Sequence, residues 1–369
     1  MDQGPPNNTT RTPVLVDLAL QGGGSHGAFT WGALDRLLQE PAFAIDSVTG
    51  TSAGAMNAVV LADGLARGGA EEARKGLRLF WEAVASIPGL ATFFAPTAGR
   101  FGEAWDLDSS PAYIFFDMMS RVWSPYDLNP LGYHPLRGLL EEQVDFECLR
   151  AQDRVRVMLC ATNVHSGRRR VFDTHDVSLE AVLASACLPF VFPAVEIDGE
   201  PYWDGGYTGN PAIAPFLREG CVTDLIIIGI NPLVRKETPR HAREIINRVN
   251  EISFNSTFWL ELTAIAVMLE MVDEGLIEAA RVPSIRFHGI DAGHTLAALG
   301  ASSKMNNSRA FIEYLFGLGS AAADTWLGEN RAAIGKRSTL ELKHLLPVDF
   351  ALFRHAARAS MPDNSPARE

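Results

Sequence analysis

Short apolar runs alternate with stretches of helical periodicity in the first part of the chain. Val14–Leu20 is an apolar run that ends at a cluster of glycines, which is typical of a buried strand. Residues 27–38 carry apolar side chains at helical spacing. Residues 43–48 predict a second strand, and residues 53–66 predict a second helix. This order of strand, helix, strand and helix indicates a parallel sheet with both faces covered.

Further strand and helix candidates follow along the chain. They are a strand (155–163), a short helix (178–187), a hairpin that turns at Asp198-Gly199 (195–203), a strand that closes the sheet (225–230) and two long helical stretches (240–281 and 308–343). The predicted fold class is therefore α/β. We expect a three-layer α/β/α arrangement around a mainly parallel central sheet, with a C-terminal helical extension.

Composition narrows the classes of function. The chain has 369 residues, of which 47% are hydrophobic and 21% charged, as in globular proteins. A net charge of -12 argues against a nucleic-acid partner, because phosphate contacts need clustered Lys and Arg. The cysteines and histidines form no metal-ligand pattern, so no metal site is predicted. The absence of an apolar leader or an 18-residue apolar run favours a cytoplasmic protein.

A first motif points to a serine nucleophile. Gly50-Thr51-Ser52-Ala53-Gly54 matches the G-x-S-x-G pattern, in which the serine occupies a tight strand-to-helix turn. A side chain at either glycine would clash where the chain doubles back. The turn also places the serine at the positive end of the following helix. On this motif alone, an ordinary small-residue turn is the alternative.

A second motif is the sequence Gly-Gly-Gly-Ser-His-Gly at residues 22–27, between the first strand and the first helix. Consecutive glycines expose backbone N–H groups, and an acyl-transfer enzyme needs two such donors for its oxyanion. The same residues satisfy G-x-G-x-x-G, the dinucleotide fingerprint, and Asp46 follows at nearly the spacing of a ribose-binding acid. Asp46 lies within a strand candidate, however, and a dinucleotide site leaves Ser52 unexplained.

A third motif is Asp204-Gly205-Gly206, directly after the predicted hairpin. Taken alone, it is an ordinary turn. All three motifs follow strands, however, and the carboxyl ends of parallel strands share one edge of a sheet. We therefore expect the three motifs to converge there.

In this order, the three motifs resemble the patatin-like phospholipase family, specifically bacterial members with a helical C-terminal extension. The resemblance implies a Ser-Asp dyad, with Ser52 as nucleophile and Asp204 as its base, and an oxyanion hole formed by Gly22, Gly23 and Gly24. It implies hydrolysis of an acyl lipid or ester through an acyl-enzyme, without a cofactor. It also implies transient contact with a membrane surface by a protein peripheral to it. The supporting motif residues are His26, Gly27, Gly50, Gly54, Gly205 and Gly206.

Two other segments resemble the family, and one position departs from it. Residues 184–189 are similar to the family's Ala-Ser-x-x-x-Pro helix end, and Asn210-Pro211 to its loop after the base. The family often carries Arg or Lys where His26 stands. A histidine supplies a positive charge there only when it is protonated.

The dyad implies that no histidine completes the site. His26, His288 and His294 are the candidates for a Ser-His-Asp triad, and His288 directly follows a strand candidate at residues 284–287. Because an aspartate is a weak base at its ordinary pKa of about 3.9, we expect burial to raise the pKa of Asp204.

Three other functions compete with lipid hydrolysis. The same chemistry suits short hydroxyacyl esters, oligoesters or thioesters. The glycine-rich loop suits a nucleotide-binding oxidoreductase, and a catalytically silent lipid-binding protein would keep the fold without reacting. The sequence does not indicate an oligomeric state.

The predicted domain organisation follows from these assignments. A disordered arm (1–13) precedes a patatin-like catalytic domain (14–217), which is followed by the last core strands and helical extension (218–355) and a flexible tail (356–369). Within the catalytic domain, residues 87–135 are rich in Phe, Trp and Tyr without a regular period. We expect this aromatic-rich segment to lie beside Ser52 as an acyl-binding wall or lid.

Overall fold

The computed structural model describes residues 13–87, 105–108, 110–120, 122–217, 222–235, 237–279 and 282–345. The strands in these ranges are β1 (Val14–Leu20), β2 (Phe43–Gly50), β3 (Arg156–Asn163), β4 (Arg169–Asp173), β5 (Val195–Ile197), β6 (Glu200–Asp204), β7 (Val222–Ile228) and β8 (Ser284–Ile290). The helices are α1 (Gly27–Leu37), α2 (Ala53–Gly68), α3 (Ala70–Val84), α4 (Pro111–Ser120), α5 (Pro125–Leu128), α6 (Arg137–Gln143), α7 (Phe146–Ala151), α8 (Leu179–Ser185), α9 (Ala242–Asp273), α10 (His294–Ala297), α11 (Arg309–Asn330) and α12 (Leu342–Leu345).

The strands form one mixed sheet in the order β5-β6-β3-β2-β1-β7-β8, and β4 pairs with β3 outside this path. The pairs among β3, β2, β1, β7 and β8 are parallel. β4 and β6 pair antiparallel with β3, and β5 pairs antiparallel with β6. The predicted α/β class with a mainly parallel sheet is confirmed. The prediction that residues 225–230 close the sheet is wrong, because β8 lies outside β7.

Side chains that alternate along the strands fill two separate cores. Leu18 on β1 packs in the larger core, which the helices α1, α2, α3, α8 and α11 cover. Its neighbour Ala19 faces the opposite layer, where buried residues of α9 such as Phe258 and Leu262 pack. The period of two in a strand sends these side chains to opposite faces. The result is a three-layer α/β/α architecture, as predicted.

Helix α11 of the C-terminal extension packs closely on α1. A Cβ atom on Gly32 would lie 2.0 Å from Phe316 O, and one on Gly319 would lie 1.9 Å from Phe29 O. Only glycine permits this approach, so the two backbones cross without intervening side chains. The extension is therefore part of the layer that covers the first helix.

Part of the aromatic-rich segment, residues 88–104, lies outside the described residues, as do the arm up to residue 12 and the predicted tail (356–369). The described part of the aromatic-rich segment contains α4, where the sequence indicated no regular element. Because α4 is apolar nearly all round, it shows no amphipathic period. Trp105 stacks on Tyr314 of α11, with ring centroids 5.4 Å apart.

Helix α9 is long and apolar enough over Glu244–Asp273 to cross a membrane, judged by length and composition alone. In the described structure it lies against the sheet. Glu261 on this helix forms an ion pair with Arg169 of β4 and accepts a 2.6 Å hydrogen bond from Ile213 N. These polar contacts attach α9 to β4 and to the loop that follows Asp204.

Candidate active site

Ser52 occupies a strained turn between β2 and α2. Its φ of 56° lies in the left-handed region, which L-residues rarely adopt. Ser52 occupies the N-cap position of α2 without a side-chain cap bond, and its amide donates a 2.9 Å hydrogen bond to Ser185 Oγ at the end of α8. Thr51 is held by its hydroxyl, which donates to Gly209 O at 2.6 Å. The turn thus presents the partly exposed Ser52 side chain at the carboxyl edge of the sheet.

The glycines of the serine motif allow the turn to close. A Cβ atom on Gly50 would lie 2.3 Å from Gly54 O, and one on Gly54 would lie 2.3 Å from Leu20 O. A Cβ atom on Gly27 would lie 2.8 Å from Ala53 Cβ, so α1 and α2 also approach closely beside the turn. These contacts agree with the steric reason for the motif.

Asp204 ends β6 and is completely buried. Its Oδ1 accepts the Gly206 amide at 2.7 Å, while Oδ2 has no partner at hydrogen-bonding distance among the described residues. Burial raises the pKa of Asp204 to about 7; the Gly206 amide, the Ser52 hydroxyl and the charge of Lys304 oppose this shift. As expected from the sequence, the carboxyl group is a much stronger base than a solvated aspartate.

The two glycines after Asp204 are sterically required. A Cβ atom on Gly205 would lie 2.0 Å from Cys160 O, and one on Gly206 would lie 2.1 Å from the Phe254 ring. Phe254 belongs to α9, which therefore seals the back of the Asp204 turn. This seal accounts for part of the burial that raises the Asp204 pKa.

The glycine-rich loop lies directly against the serine turn. Gly22 N donates to Asn210 Oδ1 at 2.6 Å. Asn210 therefore engages the Gly22 amide in this structure, and the role of Gly22 in an oxyanion hole stays a prediction. The Gly23 and Gly24 amides make no such bond within the described part of the chain. These two amides are therefore unengaged among the described residues.

Residues beyond the predicted motifs hold this loop in place. Asn231, just after β7, donates from Nδ2 to Gly22 O at 2.7 Å, and its Oδ1 accepts from Lys304 Nζ at 2.7 Å. Gln21 Oε1 accepts the amides of Ile230 and Asn231 at 2.8 and 2.9 Å. No local sequence pattern marks Asn231 or Lys304, because only the tertiary fold brings them to the loop.

His26 is buried and uncharged. Its Nε2 shares a 2.7 Å hydrogen bond with Ser303 Oγ, whereas the buried Nδ1 has no partner among the described residues. Burial, reinforced by the charge of Lys304, lowers the pKa of His26 to about 3. The positive charge that the sequence left in doubt at this position is therefore absent at neutral pH.

His288 belongs to a structural network away from the serine. It lies within β8, which extends beyond the predicted strand, and its ring nitrogens contact Asp224 Oδ1 at 2.9 Å and Thr339 Oγ1 at 3.0 Å. Arg286 also pairs with Asp224. Burial alone would raise the pKa of Asp224, but hydrogen bonds from His288 and Arg286 outweigh burial and lower it.

An apolar pocket of about 310 Å³ adjoins the loop from the side of β7 and β8. Gln21, Ile230 and Asn231 line it, but Ser52 and Asp204 do not. A Cβ atom on Gly23 would lie 2.9 Å from Ile230 Cδ1, so the Ile230 side chain separates the pocket from the loop. The pocket therefore lies behind the loop, apart from the face that meets Ser52.

Comparisons with known proteins found a matching family model and similar solved structures. The family model described as patatin-like phospholipase matches residues 18–217, more than half of the chain. Among solved structures, the chain is similar to VipD from Legionella pneumophila, with 14% identity over 86% of this chain and 67% of that one, and a TM-score of 0.39. It is also similar to ExoU from the type III secretion system of Pseudomonas aeruginosa, solved in complex with SpcU, with 14% identity, 85% of this chain covered and a TM-score of 0.30. The match spans about half (53%) of the ExoU chain. No curated protein matches the chain.

Proposed function

The chain belongs to the patatin-like phospholipase family, and we propose that it cleaves carboxylic esters of phospholipids or related acyl lipids through a Ser52–Asp204 dyad. One observation carries the proposal. Asp204 is fully buried beside the strained Ser52 turn, with one carboxylate oxygen free of other partners and a pKa of about 7. A base of this strength accepts a serine proton at neutral pH far better than an ordinary aspartate.

Acylation begins at the Ser52 hydroxyl. Its oxygen attacks the ester carbonyl carbon while Asp204 Oδ2 takes the hydroxyl proton. In an unliganded site this contact is often long and tightens when the substrate binds. The carbonyl oxygen becomes an oxyanion that the Gly23 and Gly24 amides stabilise. The tetrahedral intermediate collapses, and the leaving alcohol takes the proton from Asp204.

Deacylation repeats the same steps with water. Asp204 accepts a proton from a water molecule that attacks the acyl-Ser52 ester, and the same amides hold the second oxyanion. Ser52 then leaves with the proton, and the carboxylic acid is released. The chain's own groups suffice for this cycle, so the proposal includes no cofactor.

A second part of the proposal concerns the lipid surface. The aromatic-rich segment and the neighbouring Phe190 expose a group of large apolar side chains, which we name the apolar face. Its residues are Ile114, Phe115, Met118, Val122, Trp123, Tyr126, Leu128, Leu131, Tyr133 and Phe190. Exposed apolar groups of this kind, with Trp and Tyr among them, are typical of contact with a membrane interface.

The apolar face is connected to the serine site through one loop. Tyr126 OH accepts the Ala194 amide at 3.2 Å, and the His134 ring stacks on Phe192 with centroids 4.3 Å apart. Both partners lie in the loop that follows Ser185, whose hydroxyl binds the Ser52 amide. We propose a cytoplasmic enzyme that contacts membranes transiently through this face.

The decisive experiment is covalent labelling. A fluorophosphonate probe should modify Ser52, identified by mass mapping of the adduct, and Ser52→Ala should abolish both labelling and hydrolysis of p-nitrophenyl butyrate. Ser256→Ala, at an exposed position of α9, is the matched control and should keep both. Labelling of a different serine, or retention of more than ~1% of activity by Ser52→Ala, would contradict the proposal. Fatty acid release from phosphatidylcholine vesicles then separates lipid hydrolysis from activity on short esters alone.

A further inference from the structure

We propose that Lys304 is a positioning residue of the acyl-transfer site, which holds the Gly22–Gly23 peptide through Asn231 and supplies positive charge to a loop whose own histidine is neutral. Lys304 lies in the short helix Ala301–Met305, beyond the residues that match the family model. The inference rests on the proposed function, because it assigns a role in stabilising the oxyanion of that reaction.

A relay of two hydrogen bonds connects Lys304 to the loop. Lys304 Nζ donates to Asn231 Oδ1 at 2.7 Å, and Asn231 Nδ2 donates to Gly22 O at 2.7 Å. A carbonyl oxygen can only accept and an ammonium group can only donate. The two ends therefore select one orientation of the Asn231 amide, and the relay has a fixed direction.

The relay determines which way the next amide points. In a trans peptide, the C=O and N–H bonds point in opposite directions. Because the Gly22 carbonyl is held by Asn231, the Gly23 N–H is turned away from Asn231. Rotation of this peptide would instead direct a carbonyl oxygen toward the space where the oxyanion forms. Without the relay, this carbonyl keeps only a 3.4 Å contact from Asn210 Nδ2. We infer that this longer contact does not hold the peptide, so that one of the two proposed donors is lost without a change at Ser52.

Backbone contacts from the same short helix support the loop independently. A Cβ atom on Gly24 would lie 2.3 Å from Lys304 O, so the backbones of the two segments are in direct contact. The adjacent Ser303 hydroxyl contacts His26 Nε2 at 2.7 Å. Residues 303 and 304 therefore lie directly against the glycine-rich loop.

Two carboxyl groups near Lys304, those of Glu251 and Asp204, favour its charged form. Glu251, Arg235 and Asp204 shift the pKa of Lys304. The charge of Lys304 in turn lowers the pKa of His26. Glu251 is already paired with Arg235 at 2.6 Å and with Arg248. Among the described residues Lys304 forms no ion pair of its own. Burial lowers the pKa of Lys304, Glu251 and Asp204 oppose that shift, and its charge in turn lowers the pKa of Asp204.

Two substitutions separate charge from position. Lys304→Met removes both the positive charge and the hydrogen bond to Asn231. We expect kcat for p-nitrophenyl butyrate to fall roughly tenfold to a hundredfold with KM nearly unchanged. It should also raise the pKa of the acid limb of the kcat/KM profile, since the charge that lowers the Asp204 pKa is gone. Asn231→Ala breaks the relay but keeps the charge, so kcat should fall while the acid limb stays in place.

Lys304→Arg should restore the position of the acid limb, and Lys75→Met, at an exposed lysine of α3, should behave as wild type. If Lys304→Met is folded by circular dichroism and leaves both kcat and the acid limb unchanged, the inference is wrong. If Lys304→Met does not fold, the other two variants test the inference. It is wrong if Asn231→Ala keeps full kcat, or if Lys304→Arg shifts the acid limb. An inactive wild-type protein without Ser52 labelling would instead overturn the proposed function itself.

Discussion

A Cβ atom on Gly22 would lie 2.7 Å from Ser52 Cβ and 2.5 Å from Thr51 O. The loop can therefore lie against the serine turn only with glycine at position 22. We expect Gly22→Ala to lower kcat by about a hundredfold or more, because displacement of the loop by ~1 Å misaligns the Gly23 and Gly24 amides. Steady-state hydrolysis of p-nitrophenyl butyrate measures the loss.

Gly138→Ala provides the matched control. Gly138 lies in α6, and a Cβ atom there would meet nothing within 4 Å. This variant should keep wild-type kcat and should be equally or slightly more stable, since alanine favours helices. A Gly22→Ala enzyme with kcat within about tenfold of wild type would show that the contact does not position the donors.

The pH dependence of activity should report Asp204. Its carboxylate must be deprotonated to accept the Ser52 proton, and its pKa in the folded protein is about 7. We expect kcat/KM for a non-ionising ester to fall tenfold per pH unit well below pH 7, with a single ionisation on the acid limb. An acid limb near pH 4, the ordinary aspartate range, would mean that Asp204 is not the group that titrates.

The same burial should make Asp204 a cost to stability at alkaline pH. A carboxyl group whose folded-state pKa is raised from 3.8 to about 7 favours folding below its unfolded pKa, and this contribution is lost as the pH rises through 7. Asp204→Asn should therefore be more stable than wild type at pH 8, by up to about 4 kcal/mol, and the difference should shrink toward pH 4. Urea unfolding at both pH values measures it. An equal difference at both pH values would contradict the assignment.

His288→Gln should lower stability with little effect on the reaction. β8 lies three strands from β2 in the sheet, which is roughly 14 Å at ordinary strand spacing, and both His288 nitrogens are engaged elsewhere. We expect a loss of about 1–3 kcal/mol from the disturbed Asp224 network, with kcat of the folded enzyme within about threefold of wild type. His165→Gln, at an exposed site, is the control. A thousandfold drop in kcat with the fold intact would make His288 part of a triad.

The apolar face should matter for vesicles but not for soluble esters. The double variant Leu131→Asp, Tyr133→Asp places two charges on strongly exposed apolar positions, where the side chains are 94% and 71% accessible. We expect binding to phosphatidylcholine vesicles to weaken at least about fivefold in a sedimentation assay, because charge is expelled from the interface. Hydrolysis of p-nitrophenyl butyrate should be unchanged. Leu79→Asp, on α3, is the control, and equal vesicle binding by all three proteins would exclude the face as a membrane contact.

Local sequence was sufficient to predict the α/β fold and the segments that carry Ser52 and Asp204. Each of these motifs is contiguous, and its adjacent glycines indicate where a side chain would clash. The hydrogen bond from the Gly22 amide to Asn210 Oδ1 could not be predicted, since nothing in the loop sequence indicates it. Lys304 and Asn231 could not be predicted, because they reach the loop from separate segments and have no motif of their own. The sheet edge was also misplaced, because β8 alternates polar and apolar residues while β7 ends in the continuously apolar run Leu225–Ile228.

The pairing of β1 with β7 determines how far the chain can be shortened from its C-terminal end without breaking the sheet. The family match ends at residue 217, but β1 takes one of its two neighbouring strands from beyond that point, with Val16 opposite Asp224 and Leu20 opposite Ile228. A chain cut after residue 217 would turn β1, an interior strand of the sheet, into an unpaired, largely apolar edge and uncover Gly32 on α1. Such edges recruit other chains. The shortest fragment to produce as a soluble enzyme is therefore set by the sheet, and the recognisable motif region on its own would aggregate.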